Sequence, residues 1–112
     1  MSHPDYAAIV TSLLATELGV YEGRMMSSPA LKFGDKVFAF YSAKFGMGFR
    51  LGRDFDFSSL PTDEWSLLSP FKTKPPMRDW VVIPDLQSQT WLEVTRTALT
   101  LMRAQRPAPH EK

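Results

Sequence analysis

Apolar and polar residues alternate along residues 31–51 (LKFGDKVFAFYSAKFGMGFRL) with the period of two that is typical of β-strands. Gly34 and Asp35 interrupt the first alternation, and a glycine at the first central position of a two-residue hairpin turn readily takes the positive φ that the turn requires. Ala43 and Lys44 form a second candidate turn. The pattern therefore predicts three antiparallel strands joined by two tight turns.

The lengths of the two turns fix the register of the strands, and the register decides which side chains face the core. A second turn of two residues, or of two residues widened by one on each side, pairs Phe40 with Met47. It also pairs Phe38 with Phe49. This register gathers the large apolar side chains on one face, which we predict to be the core face: Leu31, Phe33, Phe38, Phe40, Phe45, Met47, Phe49 and Leu51. A three-residue second turn, which would leave Phe38 and Phe40 opposite glycines, is the less favoured alternative.

The opposite, outer face carries small side chains flanked by two cations and a tyrosine. Its cross-strand rows are Ala30, Ala39 and Gly48, then Lys32, Val37 and Arg50, with Tyr41 and Gly46 beyond the small row. Glycine in a strand often marks the close approach of a ligand or of another backbone. We interpret this outer face as a candidate binding surface, and an ordinary solvated face is an equally weighted alternative.

Helical periodicity predicts a helix at each end of the chain. Residues 3–18 carry one apolar stripe, and Ser2 with Asp5 three positions later predicts a capping box at its start. Residues 88–106 carry a second stripe and end before Pro107. The side chains on this second stripe are Trp91, Leu92, Thr95, Ala98, Leu99 and Met102.

The remaining segments predict shorter elements. Residues 24–28 are expected to begin the first strand, which is interrupted at Pro29 because proline cannot donate a hydrogen bond to the sheet. Residues 52–64 contain a short helix, and residues 65–71 and 78–85 form two further strands. The resulting order, α-β-β-β-α-β-β-α, indicates a two-layer α+β fold in which a single antiparallel sheet carries helices on one face.

The chain has 112 residues, of which 44% are apolar, and this is enough to bury one core. We predict a single domain over residues 1–106 and a flexible tail over residues 107–112. The absence of cysteine excludes disulfides, thiol catalysis and zinc–thiolate sites. No apolar run approaches the roughly 20 residues of a membrane span, and the first residues do not resemble a signal peptide, so we expect a cytoplasmic protein without membrane contact.

Charged residues offer one further candidate for binding. Lys72, Lys74 and Arg78 form a basic cluster in a proline-rich loop, and this cluster has the chemistry to meet phosphates. The formal net charge of the chain is only +1, so a simple role in solubility is the favoured alternative.

Titratable residues suited to catalysis are few. His3 and His110 lie near the two ends of the chain, where residues are often poorly ordered. Asp54 and Asp56 lie two positions apart in a loop and offer a cation only two ligands, so a solvated loop is the favoured interpretation. We therefore expect a protein that is not an enzyme and that uses no cofactor and no metal.

Two longer segments carry a resemblance to a known family. MMSSPALKFGDKVFAFYS (residues 25–42) and PPMRDWVVIPD (residues 75–85) resemble the TfoX/Sxy N-terminal domain family and, more distantly, the YjbR/MmcQ group. A third strand that ends in the basic residue Arg50 belongs to the same pattern. The resemblance covers roughly residues 6–104. Family members often carry glycines where this chain has Met-Ser-Ser-Pro at residues 26–29, so no flexible glycine loop is carried over.

The resemblance implies a secretion-chaperone-like fold and a role in competence gene expression together with a transcription activator. We therefore expect a non-enzymatic regulatory or adaptor domain that acts through protein–protein contact in transcription regulation. The alternative is a small module that binds an anionic ligand or nucleic acid on the sheet face of Lys32 and Arg50. Expected partners are a transcription regulator or a second copy of the chain, with weak or absent nucleic-acid binding.

Overall fold

The computed structural model describes residues 3–25, 27–69 and 73–105. In chain order these residues form α1 (Pro4–Thr16), β1 (Val20–Met25), β2 (Ser28–Phe33), β3 (Lys36–Ser42), β4 (Gly46–Arg50), a 3-10 helix (Phe57–Ser59), β5 (Ser66–Leu68), β6 (Met77–Ile83), a second 3-10 helix (Asp85–Thr90) and α2 (Trp91–Gln105). None of the helices in the described part of the chain has the length and apolar character needed to cross a bilayer.

All six strands pair antiparallel in one sheet of order β1-β2-β3-β4-β6-β5, and both α-helices pack on the same face of it. The predicted α+β class, with a single antiparallel sheet and helices on one face, is confirmed. The predicted order has one strand too few, because Val20–Met25 forms a strand of its own before a turn at Ser27. The short helix predicted within residues 52–64 is the 3-10 helix Phe57–Ser59. The predicted tail, residues 107–112, lies outside the described residues.

Apolar side chains fill two layers, one on each face of the sheet. The helix-side core lies between the sheet and the helices, and its largest fully buried members include Leu13, Leu31, Phe38, Phe49, Ile83 and Trp91. The outer cluster lies on the opposite face and consists of Ala30, Phe40, Leu68, Trp80 and Val82. In the outer cluster the rings of Phe40 and Trp80 meet edge to face, with centroids 5.5 Å apart. Phe40 and Trp80 are therefore buried as core residues, but on the face that the helices do not cover.

The β2–β3 hairpin begins as predicted and then changes register. Gly34 has φ +63° at the first central position of the turn. A β-bulge follows, so that Leu31 pairs with Ala39 rather than with Phe38. Because of this bulge, Phe38 and Ala39 both join the helix-side core.

The β3–β4 turn has three residues instead of two. Ser42 pairs with Gly46, and Phe40 pairs with Gly48. The favoured register of this hairpin is therefore wrong, and the less favoured alternative is correct. The physical reason is the ring of Phe40, which occupies the space where a side chain on residue 48 would begin. A glycine opposite a large aromatic residue lets that ring lie flat over the neighbouring strand.

The helix ends also differ in detail from the predictions. His3 caps α1, since its Nδ1 accepts a hydrogen bond from the backbone N–H of Asp5 at 3.0 Å. The predicted cap, Ser2, lies outside the described residues. In α2, Leu92 was expected on the buried stripe but is 40% exposed, and Val94 is buried in its place.

Candidate functional site

The predicted outer face does not present the row of small side chains that would make it smooth. Ala39 is fully buried and Tyr41 is 7% exposed, and both belong to the helix-side core. The β-bulge and the three-residue turn together move these two residues to the face beneath the helices. The placement of Ala39 and Tyr41 on an outer binding face is therefore wrong.

Gly46 and Gly48 are buried by the chain itself. A Cβ on Gly48 would lie 2.2 Å from Cε1 of Phe40, and a Cβ on Gly46 would lie 2.3 Å from the carbonyl oxygen of Ile83. Real side chains never approach so closely, so both positions require glycine for internal packing. In this sheet the two glycines mark the close approach of the protein's own atoms rather than of a ligand.

Lys32 and Arg50 share the outer face, as predicted. Arg50 pairs with Trp80 of the outer cluster, and the side chain of Lys32 lies across Gly23. Both cations are half-buried, and within the described residues neither takes part in an ion pair or a side-chain hydrogen bond. They therefore form two positive charges at the rim of an apolar cluster.

The predicted basic loop is only partly described. Lys72 lies outside the described residues, whereas Lys74 and Arg78 are exposed. Arg78 lines a shallow cleft of about 290 Å³ together with Arg53 and Asp54. Since a carboxylate shares this cleft, the surface around Arg78 is mixed in charge rather than uniformly basic.

A larger cleft of about 540 Å³ lies where β4 ends and mixes both signs of charge. Its lining consists of Arg50, Leu51, Gly52, Arg53, Asp54, Phe55, Asp56, Asp79 and Leu101. Arg53 pairs with Asp79 at 3.5 Å, and Asp56 accepts hydrogen bonds from the backbone N–H and the hydroxyl of Ser58. Asp56 is thus used as the cap of a 3-10 helix, and the described residues contain no group of three or more His, Cys, Asp or Glu placed to hold a metal ion.

An aromatic cluster closes one end of the helix-side core, and sequence reasoning missed it. The ring of His3 lies 5.0 Å from that of Trp91 and 6.0 Å from that of Tyr41. The Tyr41 hydroxyl donates a hydrogen bond to Asp85 Oδ2 at 3.2 Å. Burial raises the pKa of Tyr41, and the charge and hydrogen bond of Asp85 raise it further. His3 therefore lies in a packed cluster rather than in a loose terminus, and the signal for this was its position immediately before Pro4 at a helix start.

A further candidate surface is the free side of β1, which forms one of the two edges of the sheet. Gly19 accepts a backbone hydrogen bond from Gly34 at 3.1 Å, and bonding positions alternate along antiparallel strands. The odd-numbered residues of β1 therefore direct their N–H and C=O groups toward β2. Glu22 and Arg24 direct theirs outward, where no other described segment bonds to them.

Exposed side chains accompany these outward backbone groups. Leu18 is 89% exposed just before β1, and Tyr21 is 57% exposed within it. We call Leu18, Tyr21, Glu22 and Arg24 the β1 edge. Sequence reasoning missed this surface because it did not recognise β1 as a separate strand.

Comparisons of the chain with protein-family models, curated proteins and solved structures found no match.

Proposed function

We propose that this chain is a non-enzymatic adaptor domain that binds a partner protein through the β1 edge, in the setting of transcription regulation. The observation that carries the proposal is a six-residue strand that has, among the described residues, a neighbouring strand on only one side. The resemblance to the TfoX/Sxy N-terminal domain supports the regulatory setting, in which the expected partners are a transcription regulator or a second copy of this chain.

Strand addition is the binding mode that suits this surface. An exposed strand edge offers backbone donors and acceptors that bind any extended segment, and neighbouring side chains supply the specificity. Here Glu22 and Arg24 direct backbone groups outward, and Leu18 and Tyr21 add apolar surface beside them. A partner that adds a strand would satisfy the free backbone groups and cover the two exposed side chains together.

A proline at position 22 tests the proposal. Glu22→Pro removes one outward N–H without removing a hydrogen bond to β2, and proline is tolerated on an edge strand when its nitrogen faces solvent. Glu22→Ala removes the same carboxylate but keeps the N–H, so it is the matched control. Wild type, Glu22→Ala and Glu22→Pro serve as baits for affinity capture, followed by titration of the captured protein in purified form.

The expected result is binding by wild type and Glu22→Ala and loss of binding by Glu22→Pro, with similar melting temperatures for all three. A partner that binds Glu22→Pro as tightly as wild type would show that it uses another surface. Such a result would overturn the proposal.

A second function has one specific observation in its favour. Lys32 and Arg50 lie on one face of the sheet and form no ion pair with a described carboxylate, so this face suits an anionic ligand or nucleic acid. If duplex DNA binds there, affinity should fall steeply with salt, and Lys32→Glu with Arg50→Glu should weaken it and flatten the salt dependence. Lys36→Glu, at the exposed start of β3, is the control with the same kind of charge change.

A further inference from the structure

β1 carries two opposite charges two positions apart, with a glycine between them. Glu22 and Arg24 lie on the same face of the strand because side chains alternate, and both are exposed. Within the described residues Glu22 forms no ion pair, and Arg24 hydrogen-bonds only to the carbonyl of Ser27 in its own turn. The strand therefore presents one carboxylate and one guanidinium to whatever pairs with it.

The β1 strand of a second copy of the chain can pair antiparallel with this one. The two strands match in charge when the two-fold axis that relates the copies passes through Gly23. In that register Glu22 lies opposite Arg24 of the second copy, and Arg24 lies opposite Glu22 of the second copy. The same two residues direct their backbone groups to the free edge, so each opposed pair exchanges two hydrogen bonds. Charge and backbone pattern thus agree on one register.

Other registers match the charges less well. An axis through Glu22 would oppose two carboxylates, and an axis through Arg24 would oppose two guanidinium groups. Like charges directly opposite each other destabilise a strand pair. An axis through Tyr21 would set Glu22 opposite Val20 and leave Arg24 without a paired charge.

The apolar side chains beside the strand fit the register centred on Gly23. Tyr21 lies opposite Met25 of the second copy on the outer side of the sheet, and contacts between an aromatic ring and a thioether are favourable. Tyr21 is 57% exposed in the single chain, so the pairing covers apolar surface that is otherwise in water.

We infer that the partner of the β1 edge is a second copy of this chain, paired β1 to β1 about Gly23. The six strands of each copy then form one continuous antiparallel sheet. This inference rests on the proposed function, because both use the β1 edge, and it names the partner. The pairing also removes an open strand edge, which would otherwise invite uncontrolled association.

Charge reversal tests the inference. Glu22→Arg gives an edge with two cations, and Arg24→Glu gives an edge with two carboxylates, so each variant alone opposes like charges at both pairs. We expect wild type to sediment as a dimer and each single variant to show a dimer Kd raised about tenfold or more. An equimolar mixture of the two variants restores opposite charges at both pairs and should dimerise again. The double variant, Glu22→Arg with Arg24→Glu, should dimerise as wild type does.

Two controls make the result specific to β1. Glu64→Arg makes the same charge change at an exposed loop position and should leave dimerisation unchanged. Circular dichroism and the melting temperature of each variant show that the fold is retained. A wild-type chain that stays monomeric up to its solubility limit overturns the inference. A dimer that persists unchanged in both single variants overturns it as well.

The failure of this inference is distinguishable from the failure of the proposed function. If the wild type is monomeric but a different protein binds wild type and Glu22→Ala and not Glu22→Pro, the β1 edge has another partner and only self-pairing is excluded. If Glu22→Pro retains its captured partner, the adaptor role of the edge itself is excluded.

Discussion

Gly48, like Gly46, occupies a position in the sheet that leaves no space for a side chain. It lies opposite Phe40, and a Cβ there would lie 2.2 Å from the Phe40 ring. The ring is 1% exposed and is held edge to face against Trp80, so it has little room to move aside. The register first favoured from the sequence would instead have left Gly48 on an open face, where a substitution leaves the fold intact.

We expect Gly48→Ala to lower the free energy of unfolding by about 1–3 kcal/mol, the usual effect of forcing extra volume into a packed site. Urea unfolding of wild type and variant measures this loss. Phe40→Leu combined with Gly48→Ala should lose less than the sum of the two single changes, because the smaller side chain leaves room for the new methyl group. An unchanged urea midpoint for Gly48→Ala would contradict the pairing of Phe40 with Gly48.

At the scale of elements, one carboxylate at the C-terminal end of α1 forms ion pairs with α2. Glu17 lies at the C-terminus of α1, where the helix dipole makes a negative charge unfavourable. Two arginines of α2 offset it: Arg103 approaches Glu17 at 3.0 Å and Arg96 at 3.8 Å. Arg103 also donates to the carbonyl of Leu18 at 3.1 Å, so its planar guanidinium bridges two acceptors.

Arg103→Lys keeps the charge but cannot bridge both acceptors, so we expect a loss of about 0.2–1 kcal/mol that shrinks at high salt. Chemical denaturation at low and high salt measures it. Arg53→Lys is the matched control, because the pair of Arg53 with Asp79 is a single contact at 3.5 Å between more exposed side chains. An equal loss in both variants would show that the bridge at Glu17 adds nothing to α1–α2 packing.

The turns show why some elements were recognisable in advance and one was not. Gly34 predicts the β2–β3 turn from the sequence, because glycine adopts φ +63° without steric cost. The turn after β1 uses Ser27 at φ +73°, a conformation that only a few per cent of residues other than glycine adopt. Serine occurs in turns of many kinds and does not by itself indicate a positive φ, so the sequence pattern does not separate β1 from β2 or reveal the free edge of β1.

At the scale of the whole molecule, burial of a tyrosine makes the free energy of unfolding depend on pH in the alkaline range. Tyr6 is 3% exposed, and burial raises its pKa above the ordinary value of 10.0, with a further contribution from the negative charge of Glu22. In the unfolded chain the Tyr6 hydroxyl loses its proton near pH 10, whereas in the folded chain it keeps that proton to higher pH. Stability from this group is therefore complete below about pH 10 and is lost as pH rises above it.

We expect the free energy of unfolding to fall above pH 10, by at most about 1.4 kcal/mol per pH unit for each such tyrosine. Tyr6→Phe should make this fall less steep, since it removes the titrating hydroxyl. Urea unfolding between pH 8 and pH 11 measures the slopes, and equal slopes for wild type and Tyr6→Phe would contradict the role of Tyr6.

The sequence by itself determined the elements that local pattern controls. The helical stripes, the Gly34 turn and the α+β class follow from the spacing of apolar residues and from the backbone preferences of glycine and proline. The burial of Trp80 and Trp91 follows in the same way, because large apolar side chains gain most by leaving water.

Only the tertiary structure decided which face of the sheet each residue occupies and which strand edge remains free. A bulge at Phe38 of β3 and a third residue in the β3–β4 turn each shift the strand pairing by one position. A shift of one position turns the side chains of a strand to the other face of the sheet. The bulge depends on the packing of Phe38 beneath the helices, and the longer turn depends on the packing of the Phe40 ring over Gly48. Such contacts join residues that are distant along the chain, and no local pattern of apolar and polar positions records them.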